Sequence, residues 1–287
     1  MRAPWSLRVR YTYIRCLTLL LMGFWFVYCS GSEKNERNTS ELVSTIANIG
    51  AGRDAIEFGT YEQMVNTAPT KPFDIRAELL IEFVDARILD GGEPEDNDVW
   101  EALLAMTPYR KTKEVQDALT KWALLVAKRI SNAQVQSKES GTSLKTAAAA
   151  YKKLDFSRSA VIYVNVLRKQ PGNLDVRNDL ALVCMHQCND PAAMLELQIT
   201  VEVKRDYLPG LINLTVVFER LGSPSKARET ARRALIVQPL LPAAAVNAAW
   251  FENVSGDHAK AKRILSPVVK LDTCNKSALN LYLQTGN

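Results

Sequence analysis

LPGLINLTVVFERLGSPSKARETARRALIVQPLL, residues 208–241, is the stretch whose reading decides the fold. Leu208, Leu211, Leu214, Val217, Phe218 and Leu221 recur at three- and four-residue steps, which puts them on one face of a helix. Asp206 is placed to cap its start. Pro209 suits the first turn, where a missing N–H costs nothing, and Gly222 stands where a chain leaving a helix turns left-handed. Ser223 is the expected cap of a second helix with Pro224 in its first turn. The stripe Ala227, Ala231, Ala234 and Leu235 then runs on until Pro239 stops it. Two amphipathic helices joined this tightly lie antiparallel, and neither hides its apolar face without neighbours.

The neighbours emerge when the unit is slid along the chain in steps of 34 residues, with unit starts at Ser140, Leu174, Leu208, Pro242 and Lys276. The eighth position reads Ala147, Ala181, Thr215, Ala249, and the twentieth reads Ser159, Ala193, Ala227, Ala261. Both columns are small. The seventh reads Thr146, Leu180, Leu214, Ala248, the twenty-fourth Tyr163, Leu197, Ala231, Leu265, and the thirty-second Pro171, Arg205, Pro239, Thr273. A 34-residue helix-turn-helix unit, with small residues where helices touch and proline at its end, resembles the tetratricopeptide repeat (TPR) family over Ser140 to Asn287. The resemblance implies an all-α, right-handed α-solenoid: about four repeats over 144–287, closed by one helix from Ser277 to Gln284 with Leu279, Tyr282 and Leu283 inward. The first two units depart from the pattern, with Leu154, Asp155 and Phe156, then Cys188 and Asn189, at the turn where the third has glycine.

The chain has 287 residues, 47% hydrophobic and 23% charged, enough for a substantial core and unlike a disordered sequence. Its first 31 residues differ from the rest. Arg2, Arg8, Arg10 and Arg15 precede an uncharged apolar run, Cys16 to Tyr28, followed by Cys29, Ser30 and Gly31. That order describes a signal peptide or signal anchor, the run being short against the roughly 20 residues that span a bilayer. It predicts a membrane-associated or exported protein, in the cell envelope or periplasm of a bacterial source, with the arginines cytoplasmic. Phe26 to Cys29 loosely resembles a bacterial lipobox, which makes Cys29 a candidate lipidation residue, although Tyr28 departs from the small residue that pattern prefers. Beyond the leader the formal charge of +5 falls to +1, so nucleic acid is not implied as a partner. Residues 32–139 carry 13 basic and 19 acidic side chains and 140–287 carry 19 and 12, so the halves can dock on each other or favour an acidic partner. Lys226, Arg228, Arg232, Arg233, Lys260, Lys262 and Arg263 read as a solvated outer face of second helices.

Residues 32–40 form a polar linker. From 41 to 132 the chain reads as a helical region, either diverged repeats or a small separate bundle. It holds short helices at 40–49 and 60–66 and a stronger one over Phe73 to Leu89, with Ile75, Leu79, Phe83 and Ala86 on one face. A helix capped by Asn97 or Asp98 carries Trp100, Leu103, Leu104 and Met106. The longest, capped by Thr112, carries Val115, Leu119, Trp122, Val126 and Ile130. Residues 133–143 are the expected linker to the repeats.

Candidates for chemistry are few. His186 and His258 stand in separate units, and no phosphate loop, nucleophile elbow or zinc-hydrolase pair occurs. No catalytic, metal or cofactor residue is assigned and no enzyme activity is expected. Glu93, Glu95, Asp96 and Asp98 read as helix capping. Cys184 and Cys188, four apart, would share a helix face as small core residues, with a disulfide between them open in an exported chain. By resemblance, the first helices line a concave groove through their fifth, sixth, ninth and twelfth positions. The groove residues are then Tyr151 in the first unit; Asn178, Leu182 and Met185 in the second; Ile212, Asn213 and Val216 in the third; and Val246, Asn247 and Trp250 in the fourth. This implies a scaffold or adaptor that takes a peptide or helix of another protein, in envelope, pilus or secretion assembly. Two other readings stay open: a docking arm attached to an enzymatic or ligand-binding domain at 41–132, and a self-assembling structural component.

Overall fold

The structure is a computed structural model that describes residues 70–132 and 141–285. The leader, Cys29, the polar linker and the expected helices at 40–49 and 60–66 lie outside the described residues. Those that are described form α-helices and one short 3-10 turn. Three helices come first, α1 (Ile75–Leu89), α2 (Asn97–Ala105) and α3 (Lys113–Asn132), with the 3-10 turn Thr107–Tyr109 before α3. Four helical hairpins follow: α4 (Gly141–Lys152) with α5 (Phe156–Lys169), α6 (Leu174–His186) with α7 (Asp190–Val203), α8 (Leu208–Arg220) with α9 (Pro224–Val237), and α10 (Pro242–Val254) with α11 (His258–Leu271). The lone α12 (Lys276–Gln284) closes the series. No helix among the described residues is long and apolar enough to cross a membrane.

The 34-residue register is visible in the backbone itself. First helices begin at Leu174, Leu208, Pro242 and Lys276, and second helices at Phe156, Asp190, Pro224 and His258. At each turn between paired helices one residue adopts positive φ, and these are Leu154, Cys188, Gly222 and Gly256, again 34 apart. The N–H of the next residue reaches back five positions in every case, Asp155 to Ala150 O, Asn189 to Cys184 O, Ser223 to Phe218 O and Asp257 to Glu252 O, at 2.8–3.0 Å. This is one left-handed helix stop repeated four times. The small columns lie where they were expected, with Ala147, Ala181, Thr215, Ala249, Ser159, Ala193, Ala227 and Ala261 all fully buried. In the first hairpin the two columns touch directly, Ser159 Oγ donating to Ala147 O at 3.1 Å. The repeats therefore stack as an all-α, TPR-type solenoid.

Helices α1–α3 join the same hydrophobic core as the repeats. The longest, α3, lies along α7, the second helix of the second hairpin, and α1 packs on α3. Val115, Leu119, Trp122, Val126 and Ile130 of α3 are all buried, as their spacing predicts. The other side of the contact is α7, buried on every face from Asp190 to Val201.

Several local expectations are corrected. In α1 the buried face is Ala77, Leu80, Val84 and Ile88, while Ile75 and Leu79 are exposed. Both stripes have helical spacing, and docking on α3 selects the one with the smaller lead residue. In α2, Leu103 and Met106 are buried but Leu104 is exposed, and the cap position is Asp96, without a side-chain capping bond. The cap of α8 is Tyr207, whose hydroxyl donates to Asp175 Oδ1 at 2.6 Å, and not Asp206. Ser223 holds the cap position of α9, but its hydroxyl donates to Gln116 Oε1 of α3 at 2.6 Å and leaves the capping bond unmade. On α12 the buried residues are Ala278 and Leu281, with Tyr282 partly buried against the same cluster as expected and Leu283 exposed.

Candidate interaction face and its surroundings

Residues at the fifth, sixth, ninth and twelfth positions are carried on α4, α6, α8 and α10, and the regular turn places them in matching places unit after unit. Of those named from the sequence, Asn178, Leu182, Met185, Ile212, Asn213, Val216, Val246 and Asn247 are all buried, and Trp250 is partly buried. Trp250 stands edge-on to Phe251, centroids 4.9 Å apart. Two asparagines meet across the α6–α8 contact, where Asn213 Nδ2 donates to Asn178 Oδ1 at 2.9 Å. Asn213 Oδ1 and, one unit on, Asn247 Nδ2 are buried without a hydrogen-bond partner among the described residues. Buried amide atoms in that condition are costly unless something supplies the bond.

Tyr151 sits apart from this row. Its hydroxyl shares a 2.8 Å hydrogen bond with His186 Nε2, and His186 stacks on Phe156 with ring centroids 4.8 Å apart. Burial, with the negative Asp179 adding to it, pushes the Tyr151 phenol up to about 12. Burial first and the positive Arg220 second push His186 down to about 4, so the ring is neutral at neutral pH. The trio is an aromatic joint between the first and second hairpins.

Two buried ion clusters were not anticipated from the sequence. Arg177 Nη1 of α6 lies 2.6 Å from Glu95 Oε1 and 2.5 Å from Glu196 Oε2 of α7, and Arg177 Nε donates to Pro171 O at 2.8 Å. None of the three side chains is more than 1% exposed. Glu95 is thus an interior ion-pair partner, a correction to its reading as helix capping. Burial dominates at Glu196, the pull of Arg177 opposes it, and the adjacent Glu95 charge adds to it, so its carboxyl is pushed up to about 8. Glu93, next to this group, is also raised, by burial before all else. In the second cluster Asp190 at the start of α7 accepts Arg220 at 2.7 Å and meets Arg110 at 3.5 Å. Arg220 also donates to Met185 O at 3.0 Å. A usable signal existed for Glu196, a charged residue between Leu195 and Leu197 in a largely apolar helix.

The basic residues of the second helices are only partly a solvated face. Arg228, Arg232 and Lys260 converge on Glu252 of α10, which Arg228 meets in a very short contact, Arg232 at 3.0 Å and Lys260 at 2.9 Å. Burial works against the Glu252 carboxylate, but hydrogen bonds from Arg228, Lys260 and Arg232 outweigh it and hold its pKa down to about 2. Cys184 is fully buried, and burial pushes its thiol well above the usual range. Cys188 does not share a helix face with it, because α6 ends at His186 and Cys188 is the left-handed residue of the turn; both are free thiols.

No family model and no curated protein matches this chain. Solved structures do. The chain is similar to TTC0263, a thermophilic TPR protein of Thermus thermophilus, at 17% identity over 50% of this chain and 81% of that one, with a TM-score of 0.44. It is similar to YrrB, described as a TPR protein with an unusual peptide-binding site, at 16% identity over 71% and 97% of the two chains, TM-score 0.42. A third is the TPR2AB domain of yeast Sti1 in its pHSP90 complex, at 12% identity over 79% and 100%, TM-score 0.34.

Proposed function

We propose that this chain is a non-enzymatic interaction scaffold whose first-helix face holds a peptide or helix of a protein partner. The observation that carries this is the row on α6, α8 and α10: Leu182, Val216 and Trp250 at the ninth position, beside Asn213 and Asn247 at the sixth, each with a buried amide atom left over. A peptide backbone offers an N–H and a C=O at each residue, which matches an unpartnered amide oxygen and an unpartnered amide nitrogen set one unit apart. Apolar side chains alternate with those amides and supply the pockets. The basic-then-apolar leader supports delivery of the array to a membrane or across it, where the partner would be a component of envelope, pilus or secretion machinery. In α1–α3, Glu95 is closed inside an ion cluster, which favours a supporting role for these helices over a ligand-binding one.

The test is crosslinked capture from native membranes with the tagged full-length chain, analysed by mass spectrometry. Trp250→Ala combined with Asn247→Ala is expected to abolish capture of the main partner while the chain keeps its helicity and a cooperative melt. Leu182 is unsuitable for this purpose, because a buried leucine truncated to alanine costs about 2–5 kcal/mol of stability by itself. Undiminished capture by the double variant would reject the proposed face.

A further inference from the structure

Helices α9 and α11, the second helices of the third and fourth hairpins, together hold eight basic residues and one acid, Glu229. Their inner side is Ala227, Ala231 and Ala234 on α9 and Ala261, Leu265 and Val268 on α11, all buried. Arg233 and Ile236 on α9, and Arg263 and Lys270 on α11, each follow one of these buried residues by two places, which is about 200° round a helix. They therefore point away from the stack. Arg263 and Lys270 are exposed and have no ion-pair partner among the described residues, while Arg233 donates to a carbonyl, Arg205 O, at 3.2 Å. Arg228, Arg232 and Lys260 bring three positive charges to the single carboxylate of Glu252, so that group too is left net positive. Aliphatic side chains stand among these cations. Ile236 is 78% exposed, Leu271 is 71% exposed, and Leu240, just past α9, is 52% exposed. The 34-residue register sets Ile236 level with Lys270, and Val237 level with Leu271, in neighbouring units.

We propose that the outer face of α9 and α11 docks on an anionic lipid surface. Arg233, Arg263 and Lys270 meet the phosphate headgroups, and Ile236, Leu240 and Leu271 enter the boundary between headgroups and acyl chains. Cations on long flexible stems set around exposed aliphatic side chains suit that boundary, where charge draws the face to the membrane and buried apolar area holds it there. An acidic protein would satisfy the cations alone and would leave the aliphatic side chains to find pockets of their own. The rest of the chain fits this orientation. Residues 70–132, which hold α1–α3, carry nine basic and twelve acidic side chains, so the end of the molecule opposite in sign is turned away from an anionic surface. The proposal is independent of the first-helix face, which is carried on α6, α8 and α10.

The experiment places photoreactive benzoylphenylalanine at Ile236, at Leu271 or, as a control, at the exposed Leu124 of α3 in the full-length chain. Each protein is illuminated with vesicles of phosphatidylcholine alone or with about one third phosphatidylglycerol. Every sample carries the same leader, so any membrane affinity of the leader is common to all arms. Lipid adducts are expected at 236 and 271 with the anionic vesicles, and at least about tenfold fewer at 124, with neutral vesicles, or at about 1 M salt, where the screening length falls to about 3 Å. Arg233→Gln with Arg263→Gln and Lys270→Gln should lower the yield at 236 by at least about tenfold, with a melt like that of the parent. The charge-keeping variant, Arg233→Lys with Arg263→Lys, should retain it. Equal yields with neutral and anionic vesicles would overturn the proposal, as would equal yields at 124 and 236 or a loss in the lysine variant as large as in the glutamine one. Crosslinks from 236 to protein in place of lipid in native membranes would also overturn it and make the face a site for an acidic protein. The outcome is separable from the partner reading, since lipid adducts report on 236 and 271 while partner capture reports on Asn247 and Trp250.

Discussion

Leu154 and Cys188 take φ values of 64° and 58°, the left-handed conformation that Gly222 and Gly256 adopt at the equivalent turns. A side chain there costs roughly 1–2 kcal/mol, and glycine returns part of that through its more mobile unfolded state. Leu154→Gly and Cys188→Gly should each stabilise the chain by about 0.5–1 kcal/mol, measured as a rise in the urea midpoint at unchanged slope. Gly256→Ala should cost about 1 kcal/mol, and since a methyl group at this position meets nothing within 4 Å, the loss would be purely of backbone origin. Glu252 gives a pH test at the same scale. Its pKa is lowered to about 2 from the usual 4.5, so its contribution is complete above about pH 4.5 and is lost as pH falls through about 2. Its partners Arg228, Arg232 and Lys260 are a third to a half exposed. Solvent screening therefore reduces the expected contribution to about 1–2 kcal/mol. Glu252→Gln should melt below the parent at pH 7 and converge with it near pH 2.

At the scale of elements, α7 is the member most dependent on its surroundings, because α3, α6 and α8 all close on it and both ion clusters reach it through Asp190 and Glu196. Arg177 faces two carboxylates, Glu95 and Glu196, with Glu93 close by, and the array cannot ionise all of them cheaply. Arg177→Met should destabilise by about 3–5 kcal/mol, since it strands buried carboxylates. Adding Glu95→Gln and Glu196→Gln should recover a large part of the loss, which a thermal-melt series would show. The pKa of Glu196 is raised to about 8, so its favourable contribution is present below about pH 4.5 and is lost as pH rises through about 8. The parent should therefore lose stability as pH rises from about 4.5 to about 8, and Glu196→Gln should flatten that slope.

At the scale of the molecule, α1–α3 and the repeats share one core, so the array is not self-sufficient. A chain of residues 141–287 would expose the α7 surface that α3 covers, and would lose Glu95 from beside Arg177 and Arg110 from beside Asp190. It should bind a hydrophobic dye, and its unfolding transition should be broader and at least 10 °C lower than that of a chain beginning at residue 70. An isolated repeat segment that melts as sharply and as high as the longer chain would show the α3 contact to be dispensable.

The sequence by itself determined the repeat. A period of 34 residues, small residues in the eighth and twentieth columns and a chain break between paired helices are local properties, and each constrains a turn or a close helix contact within one unit. The inward stripe of α3 was legible for the same reason, as its apolar residues occupy a single face. Tertiary structure alone decided what periodicity leaves degenerate: which of two apolar stripes α1 buries, that α12 docks through Ala278 and Leu281, and that Ser223 gives its hydroxyl to Gln116 of α3 in place of a cap. It also decided the ion clusters, where Glu95 and Arg177 stand 82 residues apart in sequence and 2.6 Å apart in space. A charge's partner is chosen by the packing of helices that carry no mutual pattern in sequence, and its cost depends on burial, which belongs to the folded whole.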